Sequence, residues 1–264
     1  AGFNYDYYIS GSDQIWNVYC NDFNYAYFLP FVKSGKRIAY APSMGAQLSI
    51  KTYKDRKKVI DLLNQYDAIS VREAVGARYI GEITKMPTAS VLDPTLLLNP
   101  QEYDNLIDDK PLIKGEYVFI YSPNFTEKVN EMAEALGDKY NKQVVISQGL
   151  ISKNAMLKWG RKFNIYTATG PKEFLNLCKN ASIICCDSFH AVAFSILFKK
   201  CFFVLDGMKD NRISNLLQIT HLQNRNFSSP NEYFNAPLQM DFTQPLGALE
   251  IERRKSLEWL KEHL

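Results

Sequence analysis

The sequence predicts an α/β fold built from two Rossmann-like halves that face a cleft. Short apolar strands alternate with helical patterns, this alternation occurs twice, and a polar segment separates the two series. Strand, helix and strand in this order favour parallel sheets covered by helices. We expect an N-terminal half over residues 1–100, a linker over 101–115 and a C-terminal half over 116–246, with the helix 247–264 packing back on the first half.

Each predicted strand is a short apolar run that ends at small or charged residues, and each helix has an apolar face. In the first half, strands are predicted over 3–9, 37–41, 68–71 and 90–92, and helices over 51–66 and 73–80. In the second half, strands are predicted over 117–121, 143–147, 182–186 and 201–205. Helices are predicted there over 126–140 with Thr126 as N-cap, over 171–180 with Pro171 in first position, and over 191–198.

Composition excludes several classes of protein. The net charge of +3 is too small to indicate a nucleic-acid partner. Hydrophobic residues make up 46% of the chain, which is enough for a full core and argues against intrinsic disorder. No apolar run reaches the roughly 18 residues of a membrane span. The pI near 8.4 is compatible with peripheral contact with an anionic membrane.

The cysteines indicate a reducing compartment. Five cysteines are present, an odd number, and none forms a CxxC pair. This argues against a secreted disulfide framework and favours the cytoplasm. The three histidines and the cysteines lack zinc-ligand spacing, so no metal is predicted.

Ligands in open α/β sheets bind beyond the carboxyl ends of the strands, so we searched the residues that follow each strand. After the first strand, Ser12, Asp13, Gln14 and Trp16 predict a sugar-binding surface. The alternative is a helix start capped by Ser12 or Asp13, with Trp16 in the core. Ser43 lies in a loop of small residues after the second strand, which is either a ligand-contacting or an ordinary loop.

Two further strand ends carry groups suited to an anionic ligand. Arg72 can hold a carboxylate or phosphate with its planar guanidinium, or can form a structural pair with Glu73. After the strand 182–186, His190 lies near a helix start, where the helix dipole favours a neutral imidazole that can accept a proton. The helix start at Gly170 also favours an anion, although an ordinary helix start is the stronger interpretation there.

The order of several motifs resembles the polysaccharide pyruvyl transferase family. The matching segments are GSDQIWN (11–17), KRIAYAPSMG (36–45), DAISVRE (67–73), VLDPTLLL (91–98), GPKEFL (170–175), DSFHAVAFSILF (187–198) and NRISNLL (211–217). They span nearly the whole chain in the expected order. GSDQIWN and the DSFH block are the most specific of them.

The resemblance implies a glycosyltransferase-B-like fold and transfer of a pyruvyl group from phosphoenolpyruvate to a glycan. The product is a cyclic ketal across two sugar hydroxyls, in capsule, exopolysaccharide or cell-wall glycan synthesis. The acceptor is a sugar or a lipid-linked oligosaccharide, no metal or organic cofactor takes part, and the enzyme acts in the cytoplasm or at the inner face of the membrane. The implied catalytic residues are His190 and Arg72. The implied donor ligands are Arg72, Ser188, Phe189, His190 and Arg212, and the implied acceptor ligands are Ser12, Asp13, Gln14, Trp16 and Ser43.

Two departures from the family pattern affect these expectations. Members usually carry an additional N-terminal stretch with a first strand, so we expect the N-terminal half to be incomplete. Many members have arginine and leucine where this chain has Ser188 and Phe189, which removes one positive charge. The alternatives are a nucleotide-sugar glycosyltransferase of the same fold and a glycan-binding remnant without turnover.

Overall fold

Two parallel β-sheets organise the chain. A computed structural model describes residues 4–107, 110–123, 125–147, 162–167 and 170–264. The chain divides into unit 1 (Ala1–Leu97, Lys209–Asn215 and Ala248–Leu264) and unit 2 (Leu98–Met208 and Leu216–Gly247). The predicted linker 101–115 belongs to unit 2, where a 3-10 helix covers Pro100–Leu106.

The elements are numbered over the described residues. The strands are β1 (Tyr7–Ser10), β2 (Lys36–Ala39), β3 (Ala68–Val71), β4 (Thr88–Ser90), β5 (Tyr117–Tyr121), β6 (Gln143–Ser147), β7 (Asn164–Tyr166), β8 (Ile183–Cys186), β9 (Cys201–Leu205) and β10 (Asn226–Phe227). The α-helices are α1 (Arg56–Leu63), α2 (Ala74–Thr84), α3 (Glu127–Tyr140), α4 (Pro171–Asn180), α5 (Phe189–Leu197), α6 (Asn211–Ile219), α7 (Pro230–Asn235) and α8 (Thr243–His263).

Most predicted elements are confirmed in type, with differences at their ends. The predicted helix 51–66 consists of a 3-10 helix over Ser49–Thr52 followed by α1, and β7, β10, α6 and α7 were not predicted. β3, β5, β6, β9 and α4 have the predicted bounds. β4 ends at Ser90, where a strand over 90–92 was expected. The helix expected to begin at residue 191 begins at Phe189, because Ser188 already has the extended backbone of an N-cap.

In unit 1 the strand order is β1-β2-β3-β4, and all neighbouring pairs are parallel. β3 is buried along its whole length, as expected of a central parallel strand. The C-terminal helix α8 packs on this unit: the Leu92 N–H donates to Ser256 Oγ at 2.9 Å, and Arg253 Nε donates to the Leu96 carbonyl at 2.9 Å.

In unit 2 the strand order is β10-β9-β8-β5-β6-β7, again entirely parallel. From β5 the chain continues through β6 and β7 on one side, and β8 and β9 then lie on the other side. The strand order therefore reverses between β5 and β8. In open α/β sheets a crevice for ligands forms beyond the carboxyl ends of the strands at this point.

Two further observations concern possible membrane spans and the cysteines. Among the described residues, no helix combines the length and the apolar character needed to cross a membrane. All five cysteines are free thiols.

Candidate functional site

His190 lies in the first turn of α5, directly after the buried strand β8. β8 ends at Cys186, Ser188 takes the N-cap position, and α5 begins at Phe189. The Ser188 side chain makes no capping hydrogen bond, and the Val192 N–H closes the first turn on the Ser188 carbonyl at 3.1 Å. Ser188 and Phe189 are buried, whereas His190 is half-buried. Of these three predicted donor ligands, His190 is therefore the one whose side chain is accessible.

The His190 ring lines a cavity of about 480 Å³, which we call the unit 2 cavity. The other described residues that line it are Tyr121, Ser147, Gly170, Pro171, Phe174 and Phe194. Tyr121 ends β5, Ser147 ends β6, and Gly170 is the N-cap of α4. The cavity thus lies at the carboxyl edge of the sheet, where the topology favours a ligand.

Asp187 holds together the two loops at which the strand order reverses. Its carboxylate accepts hydrogen bonds from Ser122 Oγ, at 3.0 Å, and from Thr126 Oγ1. Ser122 follows β5, and Asp187 follows β8. Thr126 occupies the predicted N-cap position of α3, but its hydroxyl does not cap the helix because it bonds to Asp187 instead.

In unit 1, Arg72 lies in a buried ion-pair network. Its Nη2 is 3.0 Å from Asp93 Oδ2 and donates to Ser12 Oγ at 3.0 Å, and Ser12 Oγ donates to Asp93 Oδ2 at 2.9 Å. The side chains of Arg72 and Asp93 are each 2% exposed. Arg72 thus forms a buried structural ion pair, and its predicted donor role stays a prediction. The structural alternative named Glu73 as the partner of Arg72. The ion pairs that the structure shows are with Asp93 and, at 3.6 Å, with the exposed Asp13.

Glu73 forms a second buried contact in unit 1. Ser43 Oγ donates a hydrogen bond to Glu73 Oε1 and accepts one from the Gly45 N–H at 3.0 Å. Burial raises the pKa of Glu73 to about 7, against the opposing effects of the Ser43 hydrogen bond and the Arg72 and Arg212 charges. Ser43 is fully buried and bonded to Glu73, and its predicted contact with an acceptor sugar stays a prediction.

Arg212 also belongs to unit 1, and its guanidinium is paired with Asp210. Arg212 Nε donates to Asp210 Oδ1 at 3.0 Å, and Nη2 donates to Oδ2. Burial on its own would lower the pKa of Arg212, but these bonds to Asp210 outweigh burial and raise it. The predicted donor contact of Arg212 stays a prediction.

The remaining acceptor candidates separate into core and surface residues. Trp16 is fully buried and stacks on Phe28 at a centroid distance of 5.4 Å, so its predicted sugar contact is replaced by a core role. Ser12 bonds to Asp93, and no α-helix begins at Ser12 or Asp13, so neither is a helix cap. The Asp13 side chain is 64% exposed, and half-buried Gln14 accepts a hydrogen bond from Asn17.

Sequence reasoning did not identify Tyr121, Ser147 and Phe174 as parts of a site. Tyr121 and Ser147 are the last residues of two predicted strands, and that position was the available signal. Phe174 lies within the matching segment 170–175, but nothing in the sequence pattern of α4 distinguished it as a site residue. The cavity brings these residues together with His190.

The two parallel sheets, each with helical connections, define an α/β protein with two Rossmann-like units. Among solved structures, the chain is similar to UDP-N-acetylglucosamine 2-epimerase from Rickettsia bellii, at 12% identity over 92% of this chain and 80% of that protein, with a TM-score of 0.55. It is also similar to the wall teichoic acid polymerase TagF, at 13% identity over 96% of this chain and 70% of that protein, with a TM-score of 0.54. At these identities the likeness concerns the fold alone, and it confirms the predicted glycosyltransferase-B-like class.

The family model of polysaccharide pyruvyl transferases matches residues 3–207. The chain therefore belongs to the polysaccharide pyruvyl transferase family and is a transferase, as its motifs indicated. No curated protein matches it in sequence.

Proposed function

We propose that this protein transfers the pyruvyl group of phosphoenolpyruvate to two hydroxyls of a glycan and forms a cyclic ketal. The observation that carries the proposal is the position of His190 in the wall of the unit 2 cavity, at the start of α5. Family membership supplies the reaction class. The setting is capsule, exopolysaccharide or cell-wall glycan synthesis in the cytoplasm or at the inner face of the membrane.

The reaction requires one group that moves protons between donor and acceptor. A sugar hydroxyl adds to C2 of phosphoenolpyruvate while C3 gains a proton, and C3 becomes a methyl group. The C2–O bond to phosphate then breaks, and a second sugar hydroxyl closes the ketal at C2. Of the two hydroxyl protons, one ends on C3 and the other leaves with inorganic phosphate. His190 is the general acid/base for these transfers.

The N-terminus of α5 is the proposed site for an anionic group of the donor. Free N–H groups in the first helical turn favour a carboxylate or phosphate. The Ser188 side chain does not cap this turn, although the N-cap of a helix often does so. In this mechanism Arg72 makes no contact with the donor, because its guanidinium is held in the buried pair with Asp93.

Calorimetric titration of phosphoenolpyruvate tests the donor, and phosphate release in the presence of glycan acceptors tests the reaction. His190→Asn keeps hydrogen-bonding capacity but cannot act as an acid or base, so turnover falls by about 10²–10⁴-fold. The matched control is His221→Asn, since His221 is exposed and has a backbone φ of 56° that asparagine tolerates. This control retains full turnover.

Four outcomes would contradict the proposal. Unchanged turnover in His190→Asn would remove its catalytic role. Unfolding of that variant, read by circular dichroism, would make the residue structural. Binding of a UDP-sugar in preference to phosphoenolpyruvate would identify a nucleotide-sugar glycosyltransferase, and sugar binding without any turnover would identify a glycan-binding protein.

A further inference from the structure

The unit 2 cavity combines aromatic surface with a small number of polar groups. The ring centroids of Tyr121 and Phe174 lie 4.5 Å apart, and those of Phe174 and Phe194 lie 5.8 Å apart. Small-molecule sites are typically apolar and aromatic clefts with a few polar groups that set orientation. The volume of the unit 2 cavity, about 480 Å³, falls in the range of such sites and is sufficient for a monosaccharide unit.

Ser147 provides a hydrogen-bonding group without a protein partner. Its side chain is 4% exposed, and its Oγ has no hydrogen-bond partner among the described residues. Buried hydroxyls are nearly always hydrogen-bonded, since an unmade bond costs free energy. Because Ser147 lines the cavity, a bound ligand that carries hydroxyl groups would satisfy it.

The described residues around the cavity favour a neutral ligand. None of the described lining residues is a lysine, an arginine or a carboxylate. The start of α4, which could otherwise hold an anion, is occupied by the chain itself: Glu173 Oε2 accepts a hydrogen bond from the Gly170 N–H at 2.8 Å. A carboxylate at this helix end repels a second anion.

We propose that the unit 2 cavity binds a neutral pyranose of the glycan acceptor. The ring lies against Tyr121 and Phe174, a sugar hydroxyl bonds to Ser147 Oγ, and His190 in the same wall reaches the reacting hydroxyls. This proposal rests on the proposed function, and it moves the acceptor away from the unit 1 loop at Ser12–Trp16. Pyranose C–H faces pack on aromatic rings, while hydroxyls need partners such as Ser147.

Ligand-detected NMR tests this directly with the methyl glycosides of glucose, galactose, mannose and N-acetylglucosamine. Ser147→Val and Phe174→Leu each weaken glycoside binding by about tenfold, while calorimetric phosphoenolpyruvate binding is unchanged. The matched controls are Ser182→Val, directly before β8 at the opposite edge of the sheet, and Phe234→Leu in α7. Both controls bind glycosides as the wild type does, and circular dichroism verifies that all four variants fold.

Each other outcome has a definite meaning. The proposal is overturned if none of the glycosides binds the wild type. It is also overturned if glycosides bind both cavity variants as tightly as the wild type. If uridine displaces the glycosides, the cavity binds a nucleoside. If Ser147→Val loses phosphoenolpyruvate binding, the cavity binds the donor. Either result overturns the proposal. Failure of the proposed function can be distinguished from failure of this inference. In that case phosphoenolpyruvate does not bind the wild type, regardless of whether glycosides bind.

Discussion

The guanidinium of Arg72 lies 3.0 Å from the carboxylate of Asp93, and both side chains are almost completely buried. Arg72 follows β3, and Asp93 follows β4, so the pair joins the ends of two adjacent parallel strands. Loss of one partner from such a pair leaves the other as an uncompensated buried charge. The pair is therefore expected to stabilise unit 1 rather than to bind substrate.

Replacement of Arg72 should destabilise the fold. Arg72→Met is expected to lower the free energy of unfolding by about 3–5 kcal/mol, because Asp93 loses its counter-charge. Urea denaturation measures this, with exposed Arg78→Met in α2 as the control that stays within about 0.5 kcal/mol of the wild type. Wild-type stability together with lost phosphoenolpyruvate binding would instead restore the donor role of Arg72.

Glu73 should make the stability of the protein depend on pH. Burial raises its pKa from 4.5 to about 7 in the folded state, so the folded protein binds the proton more tightly than the unfolded chain does. Between pH 4.5 and 7 the folded state therefore holds more protons, and stability falls as the pH rises. Above pH 7 both states are deprotonated, and the full loss, on the order of 3 kcal/mol, persists.

Glu73→Gln removes this titration. As the pH rises from 5 to 8, the free energy of unfolding of the variant should therefore increase relative to that of the wild type. Chemical denaturation at the two pH values gives the difference. Glu82→Gln, on the exposed face of α2, provides the control and should show no such change. An equal difference between Glu73→Gln and the wild type at both pH values would show that Glu73 titrates normally.

Trp16 should act through packing. It is fully buried against Phe28 and Tyr66, so Trp16→Ala is expected to cost about 3–5 kcal/mol of stability. Tyr19→Ala, at a side chain 59% exposed, should change stability by less than about 1 kcal/mol. Thermal or urea unfolding measures the stability of both variants. A Trp16→Ala variant that is as stable as the wild type but binds glycan more weakly would favour the sugar-binding interpretation.

The five thiols should differ in reactivity. Burial raises the pKa of Cys178, Cys185 and Cys186, and these three thiols are fully buried. Partial burial and the charges of Asp22 and Asp13 raise the pKa of Cys20 as well, but its half-buried side chain stays accessible to solvent. Because the thiolate is the reactive form, iodoacetamide should modify Cys20 first and the three buried thiols only after unfolding. Burial also raises the pKa of Cys201, to about 11, so it should react slowly. Peptide mass mapping with and without urea measures the order, and native-state modification of Cys185 would contradict it.

The sequence by itself determined the class of fold and the position of His190. β5 and β9 are continuous apolar runs, and β3 and β6 are mainly apolar. α4 begins at a proline, so local patterns define these elements. His190 follows a predicted strand directly, and the rule that ligands bind at carboxyl strand ends therefore indicated it. Contiguous residues carry these signals, so no knowledge of distant contacts was needed.

Only the tertiary structure decided which polar groups are compensated and which remain available. Arg72 and Asp93 come from different loops. The local sequence around an arginine does not show whether its guanidinium binds a ligand or a buried carboxylate. Trp16 is likewise ambiguous until Phe28 and Tyr66 are seen around it. Ser147, Phe174 and His190 meet in one cavity because parallel strands bring the ends of distant segments to the same edge of the sheet. Such contacts depend on strand order, which the periodicity of a single sequence does not encode.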